Sequence, residues 1–299
     1  MADLIADLLE HTRTFESRFD SARTSPPWFR GHAQADWPLL PTALRQTFID
    51  AANRFSAGLS PPGGQTAGTG LELVANDRFR TDATPFLMGS EDLVAVYMEA
   101  RHAELPSRLL DWTLSPLIAL FFACVSHPDK SGAVFTLSPA TPYYYSRVGS
   151  QFANGRDLMK TDMAPVSDDH PAFTGMVSKL FTAGDAAVSP SLAPDPALSI
   201  AFKQHYRMPL LQTSLGGVLP IRPRHQTARL AAQRSCFTFH PPEFTGTIPD
   251  GDHLQRFEVP AKAKEQALED LRLLGIDEGS LWPGTDGVAL AIRRSWQLP

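Results

Sequence analysis

A short apolar helix with a strong start signal constrains the fold of this chain more than any other feature. Ser115 and Pro116 mark its beginning, because serine is a preferred N-cap and proline at the first helical position removes only an amide that would stay unpaired. The residues from Pro116 to Val125 are apolar almost all round, which is typical of a buried helix. Strand-like runs flank it at Leu109–Thr113 and Gly132–Leu137. The sequence therefore predicts a strand–helix–strand unit at the centre of the fold.

The remaining patterns predict one sheet around this unit. Further strand-like segments lie near Phe29, Phe237 and Glu258, and helices are predicted over residues 2–19 and 261–274. We therefore expect an α+β fold, in which a mixed central β-sheet core carries buried and flanking helices.

Two polar stretches interrupt this pattern. Residues 56–70 consist largely of Ser, Pro, Gly, Thr and Gln, and residues 139–196 are rich in Pro, Asp, Ser and Ala. Because such segments bury little apolar surface, both are predicted to be mobile insertions at the surface. We expect an N-terminal amphipathic helix within residues 1–25 and one domain over residues 26–299 that carries both insertions.

Composition limits the location and the partners of the chain. Its 299 residues carry a net charge of −5, so no global basic field favours nonspecific binding to nucleic acid or anionic lipid. Both cysteines, Cys124 and Cys236, lie in apolar segments, where buried reduced thiols are expected. The N-terminus does not resemble a secretory signal, and the longest apolar run is too short to span a bilayer. These features predict a soluble cytoplasmic protein with no membrane partner.

Sequence motifs for metals and for the common nucleotide folds are absent. The nine histidines show no HExxH spacing, and the sequence has no CxxC, no Walker loop and no GxGxxG. We expect no metal site, and the lack of acidic residues at metal-binding spacing disfavours a nuclease.

Four sequence blocks resemble, in order, those of the FRG domain family. They are Trp28–Gly31 followed by Trp37–Arg45, then Leu105–Ala123, then Arg229 with Gln233, and finally Leu281–Pro283 with Asp286 and Gly287. The chain also departs from the family pattern at several positions. Arg101 stands in place of Gln, Glu104 in place of Gly, Ser107 in place of Thr, and Arg234-Ser235 in place of Gln-Gly.

The order of the blocks is similar to that of ADP-ribosyltransferases, and this resemblance implies a similar fold with NAD as substrate. An aromatic-Arg-Gly strand end would hold the dinucleotide phosphate, a strand-Thr/Ser-helix unit would line the nicotinamide pocket, and a late strand would supply a catalytic residue. The cofactor-binding candidates are Arg30, Gly31, Arg108, Trp112, Thr113 and Ser115. The catalytic candidates are His102, Asp111 and Gln233.

Elementary chemistry agrees with these roles but leaves alternatives open. Arg30 offers a fork that can bind phosphate bidentately, and a carboxylate such as Asp111 could stabilise the positive charge that builds on ribose when an N-glycosidic bond breaks. Arg30 could instead be a structural ion-pair partner of Asp111, and Arg108 could pair with Asp111 as well. Trp112 could be a core residue, and Gln233 could simply bridge backbone groups.

Two classes of function remain. The first is an NAD-consuming ADP-ribosyltransferase or NAD glycohydrolase, acting as a toxin or phage-defence effector, with a protein or nucleic acid as a possible acceptor. The second is a non-catalytic module that binds a nucleotide or a partner protein through the same pocket.

Overall fold

The computed structural model describes a defined part of the chain. These residues are 3–18, 26–55, 64–86, 92–139, 141–142, 162–163, 166–169, 174, 177, 218–225, 227–240 and 247–296. The helices among them are α1 (Leu4–Glu16), α2 (Gln46–Phe55), α3 (Gly64–Asp82), α4 (Leu93–His102), α5 (Pro116–Cys124), α6 (Ala228–Ala232), α7 (Lys264–Leu273), α8 (Glu278–Leu281) and α9 (Thr285–Ser295). The strands are β1 (Trp28–His32), β2 (Leu109–Thr113), β3 (Gly132–Leu137), β4 (Thr141–Pro142), β5 (Asp162–Met163), β6 (Val166–Ser167), β7 (Leu219–Arg222), β8 (Ser235–Phe239) and β9 (Leu254–Val259).

One sheet organises the described residues, with the strand order β6-β7-β8-β2-β1-β3-β9. Its six longer strands pair antiparallel, and the two-residue strand β6 pairs parallel with β7 at the edge. Strands β4 and β5 form a separate antiparallel pair. The fold is therefore α+β, and the five strands predicted near Phe29, Leu110, Val134, Phe237 and Glu258 share one sheet.

Helix α5 has the predicted capped start and buried body. Pro116 occupies the first turn, and the Ser115 hydroxyl accepts a hydrogen bond from the amide of Ile118 at 3.4 Å. Its residues join an apolar cluster with Phe29, Val134 and residues of α1 and α7. The all-round apolar pattern follows from this position, because the helix packs against the sheet on one side and other helices on the other.

The two faces of the sheet carry different layers. Leu109 of β2 packs with α4, whereas Leu110 and Trp112 point into an apolar cluster on the opposite face. This alternation is the period of two that an extended strand imposes. The α4 and α5 layers therefore cover different parts of the sheet, on either side of the β1–β2 junction.

The β1–β2 junction is weakly paired. Only Phe29 and Thr113 are in register there, whereas five Cα pairs join β1 to β3 and five join β2 to β8. Beyond that single pair, the two central strands are not joined by a regular ladder. We call this junction the seam.

The predicted loop over residues 56–70 is wrong in part. Residues 64–70 form the first turns of α3, and residues 56–63 lie outside the described residues. The helix continues through an apolar-containing segment to Asp82 and contacts α2 and α4, so tertiary packing overrides the low helix propensity of its Gly- and Thr-rich start. Most of the predicted insertion 139–196 also lies outside the described residues, and its β6 segment belongs to the sheet.

Both cysteines are buried and free, as the sequence predicts. Burial raises the pKa of the Cys124 thiol to about 12 and also raises the pKa of Cys236. Among the described residues, no helix combines the length and the apolar character that crossing a membrane requires.

Candidate functional site

Arg30 and Asp111 meet at the seam, which agrees both with a shared site and with the alternative of a structural ion pair. The Nη1 atom of Arg30 donates a 2.6 Å hydrogen bond to the main-chain carbonyl of Asp111 and lies 3.6 Å from its Oδ2 atom. The Arg30 side chain is 14% exposed and the Asp111 side chain is 39% exposed. The Arg30 guanidinium therefore lies where the hydrogen-bond ladder between β1 and β2 is interrupted. The Asp111 carboxylate beside it is accessible to solvent.

Two further arginines complete a charged group around Asp111. Nη2 of Arg101, on α4, donates to Asp111 Oδ2. Arg45 lies just beyond a 3₁₀ turn over Thr42–Leu44, where its Nε donates to the Leu40 carbonyl at 3.2 Å. Arg45 is also close enough to Arg101 and Asp111 for their charges to affect its pKa. We call Arg30, Arg45 and Arg101, together with Asp111, the arginine cluster.

The His32 side chain forms a further hydrogen bond with Arg30. The Arg30 Nε donates to His32 Nε2 at 2.9 Å, and His32 Nδ1 lies 3.2 Å from the Trp37 carbonyl oxygen. Because Nε2 must be unprotonated to accept from Arg30, the proton resides on Nδ1 and is donated to the Trp37 carbonyl. Burial lowers the pKa of His32 to about 3, with a smaller contribution from Arg30, so the ring is neutral at physiological pH.

The charges of the cluster do not cancel. Burial lowers the pKa of Arg30 to about 10. Burial also lowers the pKa of Arg45, and the charge of the neighbouring Arg101 lowers it further. Burial acts to raise the pKa of Asp111, but the charges of Arg101 and Arg30 outweigh it and hold that pKa below its usual value. At neutral pH three guanidinium groups face the Asp111 carboxylate, and Glu104 is near enough to Arg101 to contribute to raising its pKa, so the group still carries an excess of positive charge suited to an anion.

The structure places Arg108 away from this cluster. Its Nε lies 2.9 Å from Glu72 Oε2 of α3, and both side chains are almost fully buried. The Tyr97 hydroxyl donates to Glu72 Oε1 and accepts from the Arg108 main-chain amide, both at 2.9 Å. The ion pair that Arg108 makes is with Glu72 rather than with Asp111, and its predicted role in cofactor binding stays a prediction.

Thr113, Ser115 and Gln233 form a second group near the start of α5. The Thr113 hydroxyl donates to the Gln233 carbonyl at 2.7 Å and accepts from the Ser115 amide at 3.2 Å. The Gln233 side-chain amide donates to the Leu281 carbonyl at 3.1 Å. All three residues thus take part in hydrogen bonds that join strand ends to helix caps. For Gln233 this is the bridging of backbone groups, the alternative that the sequence leaves open.

Gly31 and Trp112 have packing roles in the structure. A Cβ atom on Gly31 would lie 1.9 Å from the Ala119 carbonyl oxygen, so glycine is required there by the close approach of α5. Trp112 is buried, and its indole nitrogen donates to the Thr238 hydroxyl at 3.0 Å. The close approach that glycine permits at this position is therefore made by helix α5, and a role of Gly31 in cofactor binding stays a prediction.

The backbone of His102 ends α4, one residue after Arg101. Its side chain lies outside the described part of the structure, so its predicted catalytic role stays a prediction. Within the described residues, no group of His, Cys, Asp and Glu side chains has an arrangement that could hold a metal ion.

Sequence reasoning missed Arg45, Arg101 and His32 as site residues. Arg45 and His32 lie in or beside the first sequence block, and Arg101 was visible as a departure from the family pattern. The available signal was the collection of arginines close to the blocks that carry the resemblance. The sequence alone could not predict that α4 brings Arg101 to the seam.

The fold and the site together define an α+β protein with a positively charged cluster at a break in its central sheet. The family model of the FRG domain matches residues 25–132 of the chain. The matched range contains β1, β2 and α5, and it also contains Arg45 and Arg101, so it includes every member of the arginine cluster. No curated protein and no solved structure matches the chain.

Proposed function

We propose that the arginine cluster binds the phosphate of a nucleotide, with NAD as the ligand that the resemblance to ADP-ribosyltransferases implies. The observation that carries the proposal is the excess of guanidinium groups over carboxylates at a partly buried position. Arginine is suited to this task because its planar fork can bind two phosphate oxygens at once.

The geometry around Arg30 supports a preformed site. Its Nε is bonded to His32 and its Nη1 to the Asp111 carbonyl, so the guanidinium plane is held by two fixed acceptors. Arg45 is likewise tied by its Nε to the Leu40 carbonyl. Side chains that are already ordered lose less conformational entropy when a ligand binds, which favours affinity.

The contacts of the catalytic candidates favour binding over cleavage. Asp111 is engaged by two guanidinium groups, and the side-chain amide of Gln233 is bonded to the Leu281 carbonyl. A carboxylate whose charge is largely offset stabilises a cationic ribose less than an unpaired one does. A non-catalytic nucleotide-binding module is therefore the function that we favour.

One observation keeps an NAD-consuming enzyme as the second candidate. Asp111 remains ionised and 39% exposed beside the proposed phosphate site, where it could face the ribose of bound NAD. An ADP-ribosyltransferase or NAD glycohydrolase of this kind would use NAD as its substrate in the predicted cytoplasmic location. Its role as a toxin or defence effector, and a protein or nucleic-acid acceptor, are expectations from the resemblance.

Titration calorimetry with NAD, ADP-ribose and nicotinamide tests the proposal. A charge-assisted contact is worth about 1.5–3 kcal/mol, so Arg30→Gln should weaken binding of the two phosphate-bearing ligands by roughly tenfold or more. Nicotinamide, which has no phosphate, should show no dependence on Arg30. The matched control is Arg13→Gln, because Arg13 is an exposed arginine of α1.

Thermal melts of the same variants separate binding from stability. If Arg30 is only a structural partner of Asp111, Arg30→Gln lowers the melting temperature and the folded fraction still binds like the parent chain. That result would refute the proposed phosphate contact. Nicotinamide release from NAD, compared between the parent chain and Asp111→Asn, distinguishes the enzyme from the binding module.

A further inference from the structure

Trp37 is a partly exposed aromatic side chain beside the arginine cluster. It is 40% exposed, whereas Trp28 and Trp112 are buried in the core. Single exposed aromatic side chains are common on protein surfaces, so it is the position of Trp37 beside a candidate ligand site, and not its exposure alone, that indicates a role.

Trp37 is held in place by two histidines. The His32 ring centroid lies 6.1 Å from that of Trp37 and the His127 centroid 5.2 Å away, with interplanar angles of 63° and 85°. Both contacts are edge-to-face. The indole is therefore fixed from two sides while 40% of the residue stays accessible.

The same contacts connect Trp37 to the cationic cluster. His32 donates to the Trp37 carbonyl and accepts from the Nε atom of Arg30, so one neutral imidazole orients both residues. A phosphate-binding guanidinium and an exposed aromatic ring thus lie on either side of a single histidine. Because both residues contact the same histidine, the pair suits a ligand that carries a phosphate and a flat ring in one molecule.

We propose that Trp37 is the ring-binding subsite of the arginine cluster and that it stacks on the base of a bound nucleotide. This inference rests on the proposed phosphate site and adds the part of the ligand that the site recognises. Stacking on an indole tolerates any base, because every base has a π face. His32 then acts as a positioning residue, since it sets the geometry of Arg30 and Trp37 without touching the ligand itself.

The test compares ligands with and without a base. Inorganic pyrophosphate and ribose 5-phosphate carry the phosphate only, whereas ADP and NAD carry the base as well. In the parent chain, ADP and NAD should bind about tenfold more tightly than the base-free probes, the gain expected for one stacked base. Trp37→Ala should remove that gain and leave pyrophosphate binding unchanged, whereas Trp37→Phe should retain most of it.

A matched control and a second readout sharpen the experiment. Trp296 is 70% exposed at the end of α9, so Trp296→Ala removes an exposed indole elsewhere on the chain. This variant should bind all four probes like the parent. Intrinsic fluorescence should be quenched by ADP in the parent chain and in Trp296→Ala, but not in Trp37→Phe.

The outcomes separate this inference from the proposed function. If pyrophosphate binds through Arg30 but Trp37→Ala leaves the ADP and NAD affinities unchanged, the phosphate site stands and the ring subsite is wrong. If none of the four probes binds the parent chain, both are wrong. If Trp37→Ala weakens pyrophosphate as much as ADP, Trp37 is a structural support of the loop and the inference fails.

Discussion

The Nη1 atom of Arg30 donates a 2.6 Å hydrogen bond to the main-chain carbonyl of Asp111, across the two strands that form the centre of the sheet. In a regular ladder a main-chain amide would fill that place. Here a side chain does so, because β1 and β2 are in register only at Phe29 and Thr113. The interruption of the β1–β2 ladder and the charged residues that we propose as a ligand site therefore lie at the same place in the sheet.

Asp111→Asn should lower stability at neutral pH and change the acid response of the chain. Since the pKa of Asp111 is held below its usual value in the folded state, the ionised carboxylate stabilises the fold above the unfolded pKa. That contribution is lost as the pH falls through the folded pKa, in the range below about 4. Melting temperatures of the parent and the variant should differ at pH 7 and converge under acid conditions. Asp129→Asn, at an exposed site, is the control and should follow the parent throughout.

The same substitution should also strengthen anion binding. Asparagine removes the negative charge that Arg30 and Arg101 share but keeps the main-chain carbonyl that Arg30 bonds, so more of the positive charge is left for a ligand. Calorimetry should show pyrophosphate binding more tightly to Asp111→Asn by a factor of several, an effect that falls with rising salt. Weaker pyrophosphate binding by the folded variant would mean that Asp111 orients the guanidinium groups more than it competes with the anion.

Gly31→Ala should be severely destabilising. Its Cβ would meet main-chain atoms of α5, 1.9 Å from the Ala119 oxygen and 2.6 Å from the Ala123 nitrogen, so the whole helix must move. We expect a loss of about 3 kcal/mol or more, at the high end for overpacking a core. Gly70→Ala is the matched control, because Gly70 is within α3 with no atom near the added carbon, and alanine should there add up to about 1 kcal/mol. Chemical denaturation of both variants measures the contrast.

Arg108→Met should reduce the free energy of unfolding without reducing ligand affinity in the folded fraction. The substitution leaves the buried Glu72 carboxylate without its guanidinium partner, and breaking such a pair costs about 3–5 kcal/mol. Burial already raises the pKa of Glu72, so the orphaned group should take up a proton. Adding Glu72→Leu should recover much of the loss, because the second substitution removes the stranded carboxylate. If the double variant is no more stable than Arg108→Met, the pair is not the source of the effect.

Lys264→Met should destabilise the loops that follow β1 and α5. The buried ammonium donates to three main-chain carbonyls, Ala33 at 2.7 Å, Ser126 at 3.2 Å and His127 at 2.9 Å. Methionine has a similar length but no donor, so these acceptors lose their charged partner and we expect a loss of about 2 kcal/mol or more. The exposed Lys262, two residues earlier, provides the control Lys262→Met, which should change the melting temperature little.

The strands and α5 could be predicted because their signals are local. The Ser115–Pro116 helix start and the strand-like run at Leu109–Thr113 depend only on neighbours in the sequence, and both are confirmed. Arg30 and Asp111 were also expected at one site, and the structure brings them together. The strand and the helix follow from backbone geometry that the residue pattern itself specifies, whereas the meeting of Arg30 and Asp111 was expected from the resemblance of the sequence blocks.

The partners of the charged residues could not be predicted in the same way. Arg108 pairs with Glu72 and Asp111 pairs with Arg101, contacts that depend on how α3 and α4 dock on the sheet. Residues 64–70 read as a loop because their composition is rich in Gly and Thr, yet they begin the helix that carries Glu72. The spacing of residues in the sequence predicts which of them share one face of a helix or strand. The residues that pack against that face are determined by tertiary packing.

The seam has a consequence for how the chain would respond to a ligand. At the seam one backbone pair and a few side-chain bonds join the β1-β3-β9 half of the sheet to the β2-β8-β7 half, and an apolar cluster that contains Trp28, Leu110 and Trp112 packs across it. Arg30 belongs to one half, and Arg101, on the helix that packs beside β2, belongs to the other. An anion held between them would act as a cross-link. Occupancy would then appear as a steeper, more cooperative unfolding transition and as slower hydrogen exchange on both sides of the junction together.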